Sequence, residues 1–173
     1  MGLFDALKKK KETKNPTLDF EELEKRADEG YKLITAGKKD KLNFVETRCL
    51  VYGVDFVKWA RETFNTFEKI EKSELENLDA IMQKLKQAVS SEQVDKKTEF
   101  GYFSGIVGVF GILLQYYKDA KWIDELRDDD GYKMMIDGKV VEIEKEIGGI
   151  YDGRSEIDSL KDYFEILIGK DDV

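Results

Sequence analysis

The sequence predicts an α+β protein that is mostly helical, with about five helices and a small antiparallel β-hairpin or three-stranded sheet between the last two helices. Apolar residues recur at steps of three and four through most of the chain, which is the helical period. An Asp-Gly pair separates two β-prone runs in the C-terminal third. Hydrophobic residues make up 41% of the 173 residues, enough for a buried core. We expect residues 17–173 to form a single domain after a flexible or docked segment, residues 1–16.

The first helix is expected directly after Pro16. Asp19 and Glu22 have the spacing of a capping box, in which side chains bond the free backbone N–H groups of a helix start. Apolar residues then recur at helical steps as far as Gly37, and glycine is the residue type that most often ends a helix.

The second and third helices are predicted from longer apolar series. The second runs from Val45 to Ile70 as one helix, with a break near Gly53 as an alternative. Ser73 and Glu76 have capping-box spacing and predict the start of the third helix, which has the most regular period in the chain.

The fourth helix contains an uncharged stretch from Phe100 to Tyr117, and Ser90 with Gln93 is the predicted start signal. Its length approaches that of a membrane span, but its glycines and tyrosines dilute the hydropathy. We therefore expect an interior helix that the rest of the chain covers. Three glycines on one face predict close packing of another backbone, with a homodimer seam as the alternative. They are Gly101, Gly105 and Gly108.

A β-hairpin is predicted after this helix. Asp137-Gly138 lies between Tyr132–Ile136 and Lys139–Ile143, and an Asp-Gly pair suits a type I′ turn, in which both central residues need positive φ. We expect two or three strands that cover the glycine-bearing helix.

The last helix is predicted to begin at Ser155. Apolar residues from Ile157 to Ile168 fall on one helical face, and Gly169 follows them as a stop signal. The sequence contains no internal repeat.

Composition excludes several classes of function. The chain has no histidine, which removes histidine-dependent triads, His zinc sites and histidine relays. Its formal charge of −8 opposes nucleic-acid binding. The single cysteine, Cys49, falls on an apolar helix face and is expected to be buried rather than nucleophilic. With no secretory signal expected, these features predict a cytoplasmic protein without a cofactor.

An acidic cluster near the end of the uncharged helix is the candidate metal site. Its members are Asp124, Glu125, Asp128, Asp129 and Asp130, and the candidate ligands among them are Asp124, Asp128 and Asp130, whose oxygens could bind Ca²⁺ or Mg²⁺. The spacing differs from that of an EF-hand loop, which places its ligands at alternate positions. Consecutive aspartates also suit a turn, because Asp bonds its own backbone there. A carboxylate- and divalent-cation-dependent enzyme is the hypothesis that this cluster supports.

The N-terminal residues 2–14 combine apolar side chains with a run of four lysines, Lys8–Lys11. This pattern is typical of a weak electrostatic contact with an anionic membrane surface or with an acidic partner. The alternative is a terminus whose apolar side chains dock on the body of the protein. Peripheral membrane association through residues 2–14 is therefore a further hypothesis, although we expect no membrane insertion.

Residues 100–168 resemble a loosely defined group of uncharacterised bacterial α+β domains that are similar to immunity proteins of toxin systems. The residues that carry the resemblance are the Phe100–Gly105 stretch of an apolar helix, Lys121-Trp122 after it, a short hairpin, and a closing helix with Asp158–Leu160 and Phe164. A proline that often follows the second strand in the group is replaced by Glu142-Ile143. The resemblance implies an α+β layer and a binding role, with no catalytic residues.

These observations favour a non-enzymatic protein-binding module of the immunity type as the leading hypothesis. Its acidic surface would cover the basic site of a protein partner. The cation-dependent enzyme and the peripheral membrane protein are the alternatives. The sequence also leaves open a homodimer.

Overall fold

The computed structural model describes residues 18–38, 43–125 and 131–169, and in these ranges it contains six α-helices and one three-stranded sheet. The helices are α1 (Phe20–Thr35), α2 (Phe44–Phe64), α3 (Leu75–Ser90), α4 (Lys96–Tyr117), α5 (Ile143–Asp152) and α6 (Leu160–Ile168). The strands are β1 (Ala120–Trp122), β2 (Met134–Ile136) and β3 (Lys139–Val141). The mostly helical α+β class with a small antiparallel sheet is therefore confirmed.

The helix count and the position of the sheet differ slightly from the prediction, since there are six helices in the described ranges instead of about five. The second strand of the hairpin was expected to reach Ile143, but β3 ends at Val141 and Ile143 begins α5. The sheet consequently lies between α4 and α5, with two helices after it rather than one. Ile143, Ile147 and Ile150 are buried at helical steps, so the period is present in the sequence. Two adjacent glycines in this segment disfavour a helix, so the helical period is hard to recognise in the sequence.

The two predicted capping boxes, at Asp19 and at Ser73, have different outcomes. Asp19 caps α1, because its Oδ1 accepts a hydrogen bond from the Glu21 backbone N–H at 3.1 Å. The expected start at Ser73 is wrong. A 3₁₀ turn, Lys72–Glu74, precedes α3, and the Ser73 hydroxyl donates to the Glu71 carboxylate instead of capping the helix.

The later predicted starts are each displaced by a few residues. Ser90 is the last residue of α3, and Asp95 caps α4 in its place. Ser155 lies in the loop before α6, and that helix is capped by Ser159. In both cases the side chain nearer the apolar residues of the helix provides the cap.

Helix α2 is continuous through Gly53 and ends at Phe64, where Asn65 adopts the left-handed conformation with φ 54°. It is therefore shorter than predicted, since Ile70 lies outside it. The Ile70 carbonyl accepts a hydrogen bond from the Leu18 N–H at 3.3 Å, which ties the segment before α1 to the one after α2.

The core is built around α4. Every residue from Gly105 to Tyr116 is buried, and α2, α3, α6 and β1 pack against this helix. Among the described residues, α4 is the one helix long and apolar enough to cross a membrane, and 67% of its apolar window is buried in the fold. This part of the uncharged stretch is thus an interior helix.

The three strands form a sheet of order β1-β2-β3, antiparallel throughout. Asp137 and Gly138 join β2 to β3 with φ values of 49° and 79°, as a type I′ turn requires. Trp122 of β1 packs against α4 at Gly111, where a Cβ would clash with the indole ring. The sheet therefore covers one side of α4.

Two helices receive caps from carboxylates far away in the chain. Asp124, just after β1, accepts a hydrogen bond from the Phe44 N–H at the start of α2 at 2.9 Å. Asp79 on α3 accepts from the N–H groups of Leu160 at 2.7 Å and Lys161 at 3.2 Å, at the start of α6. Burial raises the pKa of Asp79, and the two backbone donors oppose that rise.

Candidate functional site

The first turns of α4 extend beyond the core and carry apolar side chains that stay partly exposed to solvent. Residues 105–116 are buried, whereas residues 96–104 are exposed or half-buried. Phe100 leaves 40% of its surface in contact with solvent. Phenylalanine is usually buried, and exposed apolar surface that is contiguous commonly marks a site of interaction.

A cleft lies between α2 and α4 on one side of these turns. The two helices run antiparallel and meet most closely at Gly53 and Gly108. The cleft has a volume of about 270 Å³ and lies further along the two helices, beyond this glycine contact. Its lining residues, most of them aromatic, are Tyr52, Asp55, Phe56, Trp59, Thr98, Gly101 and Tyr102. We call it the α2–α4 cleft.

Aromatic rings and one glycine form the walls of the α2–α4 cleft. The ring centroids of Trp59 and Tyr102 lie 4.3 Å apart, and those of Phe56 and Trp59 lie 5.4 Å apart. A Cβ on Gly101 would have no neighbouring atom within 4 Å. The missing side chain at this position therefore keeps the cleft open.

A second depression lies between α4 and α5 and has a volume of about 370 Å³. Phe100 and the adjacent Gly101 contribute to different depressions, so the two are neighbours along α4. The residues that line the second one are Lys96, Glu99, Phe100, Phe103, Gly148, Tyr151 and Asp152. We call it the α4–α5 pocket, and we call the cleft and the pocket together the α4 surface.

A hydrogen bond joins the two helices of the α4–α5 pocket. The Tyr151 hydroxyl donates to Glu99 Oε1 at 2.8 Å. Burial, together with this bond to a carboxylate, raises the pKa of Tyr151 well above its ordinary value. Tyr151 therefore stays protonated at physiological pH and holds Glu99 at the edge of the pocket.

Carboxylates predominate around the two depressions. Asp55 lies at the cleft, and Glu99 and Asp152 lie at the pocket, against one lysine, Lys96. Asp152 also forms an ion pair with Arg154. An apolar floor with acidic groups at its edge is complementary to a surface that carries both apolar and basic side chains.

The structure places one of the three predicted metal ligands. Asp124 accepts backbone hydrogen bonds at the start of α2, so its Oδ1 has a structural role. Asp128 and Asp130 lie outside the described residues. Within the ranges that the structure describes, no group of three Cys, Asp or Glu side chains is placed to hold a metal ion. The segment 2–14, with its predicted membrane contact, also lies outside those ranges.

The three glycines predicted to share a packing face lie in different surroundings. A Cβ on Gly108 would lie 2.7 Å from the Gly53 nitrogen, and one on Gly105 would lie 2.5 Å from Phe56 Cβ. Gly101 has no such neighbour, so it does not have the close-packing role predicted for it. The partner backbone at Gly108 belongs to α2 of the same chain.

A buried polar junction lies away from the α4 surface, where α1, α2 and α4 meet. Burial raises the pKa of Glu46, and a hydrogen bond with the buried Gln115 side chain opposes that rise. The positive charge of Arg26 also favours the ionised carboxylate. These side chains connect the three helices, and they line neither the α2–α4 cleft nor the α4–α5 pocket.

Sequence reasoning missed the residues that form the α4 surface. Phe100 and Tyr102 belong to an uncharged run, and the helical period predicts burial for such residues. On α2, the helical period likewise predicts that Trp59 is buried. The only available signal was the predicted start of α4 several residues earlier, which places Phe100 near an end of the helix.

No protein-family description, curated protein or solved structure matches this chain.

Proposed function

We propose that this protein is a non-enzymatic binding module of the immunity type, which uses the α4 surface to bind a protein partner with a basic surface. The observation that carries the proposal is the pair of neighbouring apolar depressions on the first turns of α4, with three carboxylates around them. Resemblance of residues 100–168 to immunity-protein-like domains supports the same role.

The aromatic residues supply the energy of the proposed interface. Tyrosine, tryptophan and arginine are the residue types that most often dominate protein–protein binding, in desolvated centres surrounded by polar residues. Trp59 and Tyr102 are held by ring contacts in the free protein, so they lose little side-chain freedom on binding. Phe100 is the exposed anchor.

The acidic groups supply steering and selectivity. The whole chain carries a formal charge of −8, and residues 137–169 contain nine acidic and four basic side chains. A negative field accelerates encounter with a positive partner and repels acidic proteins and nucleic acid. Binding of this kind weakens as salt concentration rises.

The test uses two variants that each remove one exposed aromatic ring. Phe100→Ser changes the α4 surface, whereas Tyr31→Ser changes α1 at a residue that is 59% exposed and lines neither depression. Tagged wild type, Phe100→Ser and Tyr31→Ser are incubated with lysate of the native host at low and at high salt. We expect a partner that wild type and Tyr31→Ser retain at low salt and that Phe100→Ser loses.

The charge contribution is tested in the same assay with Asp55→Lys and Asp152→Lys combined. The double variant is expected to lose the partner even at low salt, because it reverses two charges beside the aromatic residues. Equal capture by wild type, Phe100→Ser and the double variant would show that the α4 surface is not the binding site. Absence of any specific partner at either salt concentration would also count against the proposal.

A further inference from the structure

We infer that the α2–α4 cleft binds the guanidinium group of an arginine side chain from the partner, an inference that rests on the proposed function. The cleft unites aromatic walls, an acidic group at the edge and a volume that suits a single side chain.

The aromatic walls suit a planar cation. Guanidinium is more weakly hydrated than an ammonium group and stacks on the faces of Trp and Tyr rings. One turn away on α2, Arg48 already lies over the Tyr52 ring, with 5.6 Å between its Cζ and the ring centroid. Trp59 and Tyr102 pack against each other, so each ring offers a guanidinium group only the side that faces the cleft.

Asp55 supplies the opposite charge. Its carboxylate is exposed and forms no hydrogen bond or salt bridge with another residue that the structure describes. Lys58, the lysine of α2, forms an ion pair with Glu24 of α1 with 2.6 Å between Nζ and Oε1, and the charge of Asp55 acts on it more weakly. A carboxylate at the edge of an aromatic cleft can accept two parallel hydrogen bonds from a guanidinium group.

The volume of the cleft suits a small group such as one side chain. Pockets for drug-sized molecules measure about 300–1,000 Å³, and the cleft, at about 270 Å³, lies below that range. The α4–α5 pocket is larger, and its carboxylates are already engaged, because Glu99 accepts from Tyr151 and Asp152 pairs with Arg154. The cleft is therefore the better of the two depressions for one cationic side chain.

The experiment follows the two tryptophan indole N–H signals by NMR during titration with N-acetyl-arginine amide. N-acetyl-citrulline amide is the matched probe, because citrulline has nearly the same shape without the charge. Trp59 lines the cleft, while Trp122 is buried against α4 and is the internal reference. We expect a saturable shift of the Trp59 signal with the arginine probe, no saturable shift with the citrulline probe, and no change at Trp122.

Two variants test where the probe binds. Gly101→Leu fills the cleft at a position where a Cβ has no neighbour within 4 Å, and it is expected to abolish the Trp59 shift. Asp55→Asn is expected to weaken binding of the arginine probe about tenfold, whereas Glu62→Gln, which removes an exposed acid elsewhere on α2, leaves it unchanged. An unchanged Trp122 signal shows that each variant is folded.

Equal responses to the two probes, no saturable response to arginine, or a Trp59 shift that persists in Gly101→Leu would each overturn the inference. The outcome is independent of the partner assay. If the arginine probe fails while Phe100→Ser still loses the partner, the α4 surface binds in another way. If Phe100→Ser keeps the partner, the proposed function itself fails.

Discussion

Gly53 of α2 and Gly108 of α4 form the point at which the two longest helices touch backbone to backbone. A Cβ on Gly108 would lie 2.7 Å from the Gly53 nitrogen, and a Cβ on Gly53 would lie 2.9 Å from the Gly108 carbonyl carbon. Both distances are shorter than a Cβ atom tolerates, so side chains are excluded from both positions. This contact sets the crossing from which the α2–α4 cleft opens.

The first prediction compares two alanine substitutions on the same helix. Gly108→Ala is expected to lower the free energy of unfolding by about 2–3 kcal/mol, because backbone atoms of α2 cannot move away from the new methyl group. Gly101→Ala is expected to raise it by about 0.5–1 kcal/mol, because alanine favours helix and the site has space. Urea denaturation measures both, and equal effects would contradict the described packing.

The second prediction concerns the cap that α3 provides for α6. Asp79→Ala is expected to cost about 1–2 kcal/mol, because two backbone N–H groups at the start of α6 lose their acceptor. Asp79→Asn is expected to cost less, since one side-chain oxygen can still accept from Leu160. Asp28→Ala, at an exposed aspartate of α1, is the control and should have little effect on the denaturation midpoint.

The third prediction is a pH dependence at the buried polar junction. The folded protein raises the pKa of Glu46 above its ordinary value of 4.5, so the folded state binds the proton more tightly than the unfolded state. The resulting stabilisation is present below pH 4.5 and is lost as the pH rises through the folded-state pKa. Glu46→Gln, which cannot ionise, is expected to raise the melting temperature at neutral pH.

The gain from Glu46→Gln should disappear as the pH falls below the ordinary pKa of glutamate. At neutral pH it is expected to be about 1 kcal/mol or less, because the carboxylate retains its hydrogen bond and the nearby arginine. Thermal unfolding at several pH values measures the effect, with Glu62→Gln on the exposed side of α2 as the matched variant. A gain that is the same at every pH would contradict the raised pKa.

The fourth prediction concerns divalent cations. Asp124 uses its Oδ1 to hold the start of α2, so we expect millimolar Mg²⁺, Ca²⁺ or Mn²⁺ to leave the melting temperature unchanged. Differential scanning calorimetry with and without each cation is the measurement. A rise that Asp124→Asn abolishes would instead support the carboxylate- and cation-dependent enzyme hypothesis.

Features that one local sequence pattern determines could be predicted. Features for which several residues offer the same pattern, such as helix caps, could not. The Asp137-Gly138 turn is predictable because only a few residue types adopt positive φ at both positions. Burial of α4 from Gly105 onward follows from its lack of charge. Helix starts were misplaced because capping residues are plentiful here, and tertiary packing decides that Asp95 rather than Ser90 is used.

The α4 surface could not be predicted, because the period of a helix does not show where its neighbours end. Phe100 and Phe110 belong to the same uncharged run, yet Phe110 is fully buried and Phe100 is 40% exposed. Phe110 packs against Tyr163 and Phe164 of α6, whereas Phe100 lines the open depression between α4 and α5. These neighbours lie far away in sequence. Gly101 likewise shares a helical face with Gly105 and has no neighbour to pack against.

The long-range caps restrict local unfolding at the starts of α2 and α6. The Asp79–Leu160 bond joins positions 81 residues apart, and the Asp124–Phe44 bond joins positions 80 residues apart. Helix beginnings usually exchange their amide hydrogens early through fraying. Here, release of either helix start would leave a carboxylate without its donors, so the first amides of α2 and α6 should exchange together with the slowest amides of the core.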